Sequence, residues 1–201
     1  MNDLDPLDAV FRLEEKLRNA DTVRFYVKLS SAELVESDLE GSVELRPAGT
    51  ALVYLRGELG GSPFKLESAS DGRQLYGIAR DRPIAMQAPA QFRDLVVADF
   101  LRLGLLDMVF RIVNGDLHQS GEDLRRQLRL AALASVEAEP TRPDLSDCLG
   151  HAFTVRDHGR DVATATLWID RFDGHPQERS QSMRMAVPFL FTELYWEFEI
   201  Q

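Results

Sequence analysis

Four histidines, one cysteine and an excess of acidic residues are the raw material for chemistry in this chain. His118, His151, His158 and His175 form no HExxH motif, and no two share the i, i+4 spacing of a zinc-binding helix. Asp157, His158 and Asp161 make one local acid–histidine group, and Asp170, Asp173 and His175 make another. Either could hold a metal ion or relay a proton. Both also flank turn signals: Asp157-His158-Gly159-Arg160-Asp161 reads as a polar hairpin turn, and Asp173-Gly174 is a strong turn dipeptide. Turn duty is the simpler reading of each. A hydrolase using Asp170, Asp173 or His175 would need those side chains to converge on one cleft.

Other catalytic signatures are missing from the sequence. There is no GxSxG nucleophile elbow, no GxGxxG after a strand and no GxxxxGK[ST] loop. Ser70 precedes the turn Asp71-Gly72, where a serine bonds backbone groups. Cys148 lies between Asp147 and Leu149 with no neighbouring base to lower its pKa. As the only cysteine, it excludes an intramolecular disulfide and a multi-cysteine zinc site. The expectation is therefore no enzyme, no metal site and no cofactor.

The bulk properties narrow the partners. The net charge of −10 disfavours nonspecific binding to nucleic acid, which depends on basic residues neutralising phosphates. Arg125, Arg126 and Arg129 cluster, and are expected to be the solvated face of a helix. The apolar region Phe92 to Val113 is interrupted by six charged residues, so it is no membrane span. The N-terminus, MNDLDPLD, is acidic and lacks the apolar core of a signal peptide.

These residues must be positioned by an alternating set of elements. Asp5 and Pro6 open a helix whose Leu7, Val10, Phe11, Glu14 and Leu17 recur at helical spacing. From Thr22 to Met86 the periodicity is that of strands separated by short turns, which implies an antiparallel meander. Phe92, Leu95, Val96, Phe100 and Leu103 form an apolar helical stripe, and Gly104 interrupts it. Leu105 to Val113 reads as a second helix, and Ser120 with Asp123 caps a third. Strand texture resumes near Leu133. Ala163, Ala165, Leu167 and Ile169 fall on one face of a strand, and Thr164, Thr166, Trp168 and Asp170 on the other. Strands grouped apart from helices predict an α+β fold with a largely antiparallel sheet. One domain over 1–201, with a helical insert at roughly 89–129, is the expected organisation.

Several segments together resemble the bacterial lipoprotein-carrier superfamily, the LolA/LolB-like proteins. They are the strand Thr22–Ser30 after the first helix, Gly41-Ser42-Val43-Glu44-Leu45-Arg46-Pro47, and the hairpin Ser70-Asp71-Gly72-Arg73-Gln74-Leu75-Tyr76. Leu167-Trp168-Ile169-Asp170 with His175-Pro176-Gln177-Glu178-Arg179, and Glu193-Leu194-Tyr195-Trp196-Glu197-Phe198, complete the set. The resemblance implies a curved antiparallel sheet, an incomplete half-open barrel, with helices packed across its open side. It implies a non-enzymatic carrier of a lipid, acyl chain or acylated protein in the cell envelope, held in an apolar cavity between sheet and helices. Leu52, Tyr54, Phe64, Phe100, Leu103, Trp168, Met183 and Met185 are the expected lining, and Arg46 the expected latch of the helical lid. The place would be periplasmic or outer-membrane associated, given an export segment outside this sequence, and otherwise cytoplasmic. Other envelope proteins are possible partners, and a monomer is expected. The alternative is a structural or interaction module of the same fold whose core is filled by its own side chains and which carries no lipid.

Overall fold

The structure is a computed structural model and describes residues 5–31, 36–89, 91–117, 119–139, 142–184 and 189–201. Helix α1 (Pro6–Asn19) is followed by strands β1 (Val23–Ser31), β2 (Ser37–Leu45), β3 (Thr50–Leu59), β4 (Ser62–Asp71), β5 (Gln74–Ala79) and β6 (Arg82–Gln87). Helices α2 (Phe92–Arg102), α3 (Leu105–Asn114) and α4 (Gly121–Gln127) come next. Strands β7 (Leu128–Glu137), β8 (Cys148–Asp157), β9 (Arg160–Asp170), β10 (Pro176–Met183) and β11 (Phe189–Ile200) close the chain.

Among the described residues, eleven strands form one antiparallel sheet in the order β6-β5-β4-β3-β2-β1-β11-β10-β9-β8-β7. Each half is a meander, and the halves meet where β1 pairs with β11. The outermost strands, β6 and β7, do not pair with each other, so the curved sheet stays open. The chain between those two edges is the helical segment. A connection from one edge to the other must cross a face of the sheet, and α2, α3 and α4 therefore lie across the concave side, where α1 joins them from the N-terminal end.

Strand periodicity sets which residues meet the helices. Val23, Phe25, Val27 and Leu29 of β1 are buried, as are Ala51, Val53, Leu55 and Leu59 of β3. Ala163, Ala165, Leu167 and Ile169 of β9 point into the same core. Trp168 lies on the opposite, outer face, opposite Gly150 of β8, where an added Cβ would come within 3.0 Å of the indole. The glycine thus makes the seat for the ring.

The helices follow their capping chemistry. Asp5 Oδ1 accepts from Leu7 N at 2.9 Å, with Pro6 in the first turn. Ser120 Oγ accepts from Asp123 N at 3.1 Å. Gly104, at φ +83°, turns the chain between α2 and α3. Two expectations are corrected here. Phe11 faces outward at 44% exposure. Helix α2 is not merely striped: Val97, Ala98, Asp99, Leu101 and Arg102 are buried beside the expected apolar positions. The strands lie to one side of it and the other helices surround the rest.

Candidate functional site

The concave side has a polar centre where the C-terminus of α2 and the N-terminus of α3 meet β10 and β11. A helix leaves its last carbonyls and first N–H groups without intrahelical partners. Here side chains from the sheet satisfy them. Arg179 of β10, with no exposure, donates from Nη1 to Leu101 O at 3.0 Å and from Nη2 to Arg102 O at 2.7 Å. Gln181 Nε2 donates to Leu103 O at 2.9 Å. Glu193 of β11 accepts from Leu106 N at 3.0 Å and from the Tyr195 hydroxyl. Burial raises the pKa of Glu193 and lowers that of Arg179, and each charge partly offsets the other's shift. A Cβ on Gly104 would sit 2.7 Å from Glu193 Oε1, so the connection is glycine for reasons of space as well as φ.

Further buried pairs join helix to helix. Arg102 meets Glu14 of α1 at 2.9 Å and donates to Leu128 O at 3.0 Å. Arg111 of α3 donates from Nη1 to Oδ2 of Asp99 in α2 at 2.8 Å, a hydrogen bond to a carboxyl that burial favours in its uncharged form. Arg93 reaches back to Leu17 O at 3.0 Å and to Ala20 O, covering the C-terminus of α1. Arg125 pairs with Asp94 of α2. It is thus half-buried in the helix layer, a correction to the solvated-face expectation, whereas Arg126 and Arg129 are not buried. Buried ion pairs add little net stability once desolvation is counted, but breaking one costs several kcal/mol. They fix which arrangement of helices is allowed.

A second feature opens under α1. That helix packs on β7 and β8 and leaves a crevice of about 400 Å³ against β9 and the 170–174 turn. Ala9, Leu13, Leu149 and Ile169 supply its apolar surface, and charged residues ring it. His151 also lines it. Burial lowers the pKa of this histidine, so it is neutral at pH 7.

The acid–histidine groups are turns in the structure. Asp170 Oδ1 accepts from Phe172 N and Asp173 N, at 2.7 and 3.2 Å, and Asp173 Oδ1 accepts from His175 N at 2.6 Å. His158 and Gly159 form the β8–β9 turn, both at positive φ. Burial and nearby acids push the Cys148 thiol up to about 11, which makes it a poor nucleophile. Among the described residues no group of three or more His, Cys, Asp or Glu is placed to hold a metal ion.

The expected lining residues divide between the two faces. Phe64 and Phe100 are buried in the core. Leu103 and Met183 come together beside a crevice of about 500 Å³ that also contains Asp107 and Arg111. Leu52 and Tyr54 face outward, as does Trp168. The signal was present: Leu52 and Tyr54 share parity with Arg56 and Glu58, and Ala51, Val53 and Leu55 form the apolar set. Met185 lies outside the described residues. Arg46 is exposed and bonds Glu44 at 2.6 Å. The contact expected of it, a guanidinium on helix C-terminal carbonyls, is made by Arg179. Nothing around Arg179 in sequence marks it as buried, because its neighbours Gln177, Glu178 and Ser180 are polar too. His151 carried a weak signal, sharing parity with Leu149, Phe153 and Val155.

No family model matches the chain, and no curated protein matches it. Solved structures do. Lipoprotein LppX of Mycobacterium tuberculosis is 9% identical, covering 96% of this chain and 94% of its own, with a TM-score of 0.46. LprF of Mycobacterium bovis is 9% identical, covering 96% and 92%, with a TM-score of 0.45. A LolA superfamily protein of Nitrosomonas europaea, NE2245, is 10% identical, covering 98% and 94%, with a TM-score of 0.37. The chain is similar to these solved structures over most of its length. Among the described residues no helix is long and apolar enough to cross a membrane.

Proposed function

We propose that this chain is a non-catalytic binding protein for a lipid, acyl chain or acylated protein of the bacterial envelope. The observation that carries the reading is the architecture of the concave side. An open sheet presents an apolar face, helices are laid across it, and an apolar-walled crevice of about 400 Å³ opens beneath α1. That volume lies in the usual ligand-pocket range of about 300–1,000 Å³. Each buried methylene contributes about 0.8 kcal/mol, so such a site needs apolar walls more than reactive groups. Phe64, Phe100, Leu103 and Met183 belong to the interior that a longer chain would reach by displacing α2.

Organic extracts of protein purified from its native source, analysed by mass spectrometry, test the reading. A co-purifying lipid is expected, together with saturable, displaceable binding of a fluorescent fatty acid. Repeated preparations showing neither would remove the proposal. Intrinsic tryptophan fluorescence is the wrong probe, because Trp168 and Trp196 both stand on the outer face. The envelope location is proposed with the function, and cell fractionation tests it separately.

A second reading has its own support. Helix α2 fills the middle of the concavity and is tied down by Arg179 and Gln181. A module with a self-filled core, acting through its outer surfaces, would have this interior. It is favoured if no lipid is found and a protein partner co-purifies at fixed stoichiometry.

A further inference from the structure

We propose that the outer, convex face of the first meander carries a second ligand site, for an uncharged oligosaccharide joined by β-glycosidic links. The site is separate from the crevice under α1 and does not rest on the lipid-binding reading.

Aromatic residues are sorted between the two faces of the sheet. The strand phenylalanines Phe25, Phe64, Phe153, Phe191 and Phe198 are buried in the core. Three of the four tyrosines, Tyr26, Tyr54 and Tyr76, stand on the outer face together with Trp196. Such rings join an apolar body to a polar tip, which suits a surface that is wet on one side. Tyr76 is 49% exposed and Trp196 40%. Their placement is regular. Tyr26 lies on β1, Tyr54 on β3 and Tyr76 on β5, and the strands between them offer small residues. Ser42 of β2 pairs with both Tyr26 and Tyr54, and Ala69 of β4 pairs with both Leu52 and Tyr76. Neighbouring strands are about 4.8 Å apart, so rings on alternate strands stand about 10 Å apart with a trough between them. A groove of about 470 Å³ opens there, lined by Leu52, Tyr54, Tyr76 and the small residues Ser42, Ala69 and Gly77.

The lining decides the class of ligand. Strands β1 to β5 are paired on both sides, so their backbone groups are used within the sheet. An extended peptide laid in the groove would find no backbone partners there and would leave its own groups unpaired. A bare acyl chain would cover only one side of itself and would meet Arg24, Glu44 and Glu67, which line the same groove. A pyranose meets both demands. Its ring faces present C–H groups to the tyrosines, and its edge presents hydroxyls to the charged groups. Those charges are already matched: Glu44 meets Arg46 at 2.6 Å, Glu67 meets Lys65 at 2.9 Å, and Arg24 donates to the Tyr26 hydroxyl at 3.0 Å. A charged sugar gains no free counter-ion, so the ligand is an uncharged one. Rings spread over several strands call for several sugar units, and an open sheet face suits the extended ribbon that β-glycosidic links produce.

Isothermal titration calorimetry with cellohexaose and chitohexaose tests the site, with the α-linked maltohexaose as the comparison. Saturable binding of at least one β-linked hexamer is expected, with weaker binding of maltohexaose. Replacing both rings, Tyr54→Ala with Tyr76→Ala, should weaken binding at least about tenfold, the worth of two lost ring contacts. Tyr76→Ala alone, at a half-exposed position that folding does not depend on, should lose part of it. Tyr54→Phe with Tyr76→Phe keeps both rings and should keep the affinity. Absence of binding by both β-linked hexamers, an equal affinity for maltohexaose, binding that survives the alanine variants, or loss in the phenylalanine pair would each overturn the inference and leave the lipid reading as it stands. A protein partner lost with Tyr76→Ala, without any sugar binding, would overturn it too and assign the face to a protein.

Discussion

Arg179 and Arg46 show how differently one residue type acts in two places. Arg46 projects from the surface beside Glu44, and exposed pairs of this kind contribute little. Arg179 is buried beneath α2, holds two of its terminal carbonyls and offsets the charge of Glu193. Arg179→Met should therefore cost about 3–5 kcal/mol in urea unfolding, the usual penalty for stranding a buried partner. Arg46→Ala should leave the midpoint unchanged, and similar losses for the two would refute the assignment. Asp99 makes a pH argument. Burial is the main cause that pushes its carboxyl up to about 8, reinforced by Asp107 and opposed by Arg111. An unfolded aspartate titrates near about 3.9. Between about pH 4 and 8 the folded state holds a proton that the unfolded state has lost, so this group's contribution is full below that window and fades as pH rises through it. Asp99→Asn should flatten the decline. The unsubstituted protein should lose more of its urea midpoint between pH 5 and pH 8 than the variant does, and parallel profiles would count against the shift.

At the scale of elements, the helix layer depends on close backbone approach. Gly121 opens α4 where it meets α2, and an added Cβ would lie 2.5 Å from the carbonyl carbon of Asp94. Backbone cannot swing aside as a long side chain can. Gly121→Ala should destabilise by about 1–3 kcal/mol, as overpacking does, and an unchanged denaturation midpoint would show that α4 shifts freely. Local chemistry made many element ends legible: Asp5-Pro6, Ser120 and Gly104 act where the sequence placed them. The turn at Asp170–His175 did too. The end of α4 was harder. Gln127 passes directly to Leu128 and strand β7 with no Gly or Pro between them, so strand texture is legible in the sequence only from near Leu133. The all-round burial of α2 was not legible either. It arises from elements distant in sequence, above all α4 and α1, and helical periodicity carries no information about them. The candidate site follows the same division. The apolar wall of the crevice could be read from strand parity, whereas the crevice itself requires the packing of α1 on β8.

The whole molecule is two meanders, and the question is whether they unfold as one. The sheet joins them only through β1 and β11, but the core does not respect that division. Helix α1, from the N-terminal end of the chain, packs on β7 and β8 of the second meander. Helix α2 touches β3 of the first and is held by Arg179 of the second. Phe25 of β1 stacks on Phe198 of β11 at 4.6 Å and lies 5.7 Å from Phe100 of α2, so three elements meet on one ring. Removing that ring should cost about 3–5 kcal/mol, as for other buried phenylalanines. If the halves are one cooperative unit, Phe25→Ala lowers a single thermal transition and keeps its calorimetric and van't Hoff enthalpies equal. If they are separate, the seam breaks first and calorimetry resolves two transitions. The shared helix layer argues for the single transition. It also means that a ligand wedged under α1 should raise the melting temperature of both meanders together.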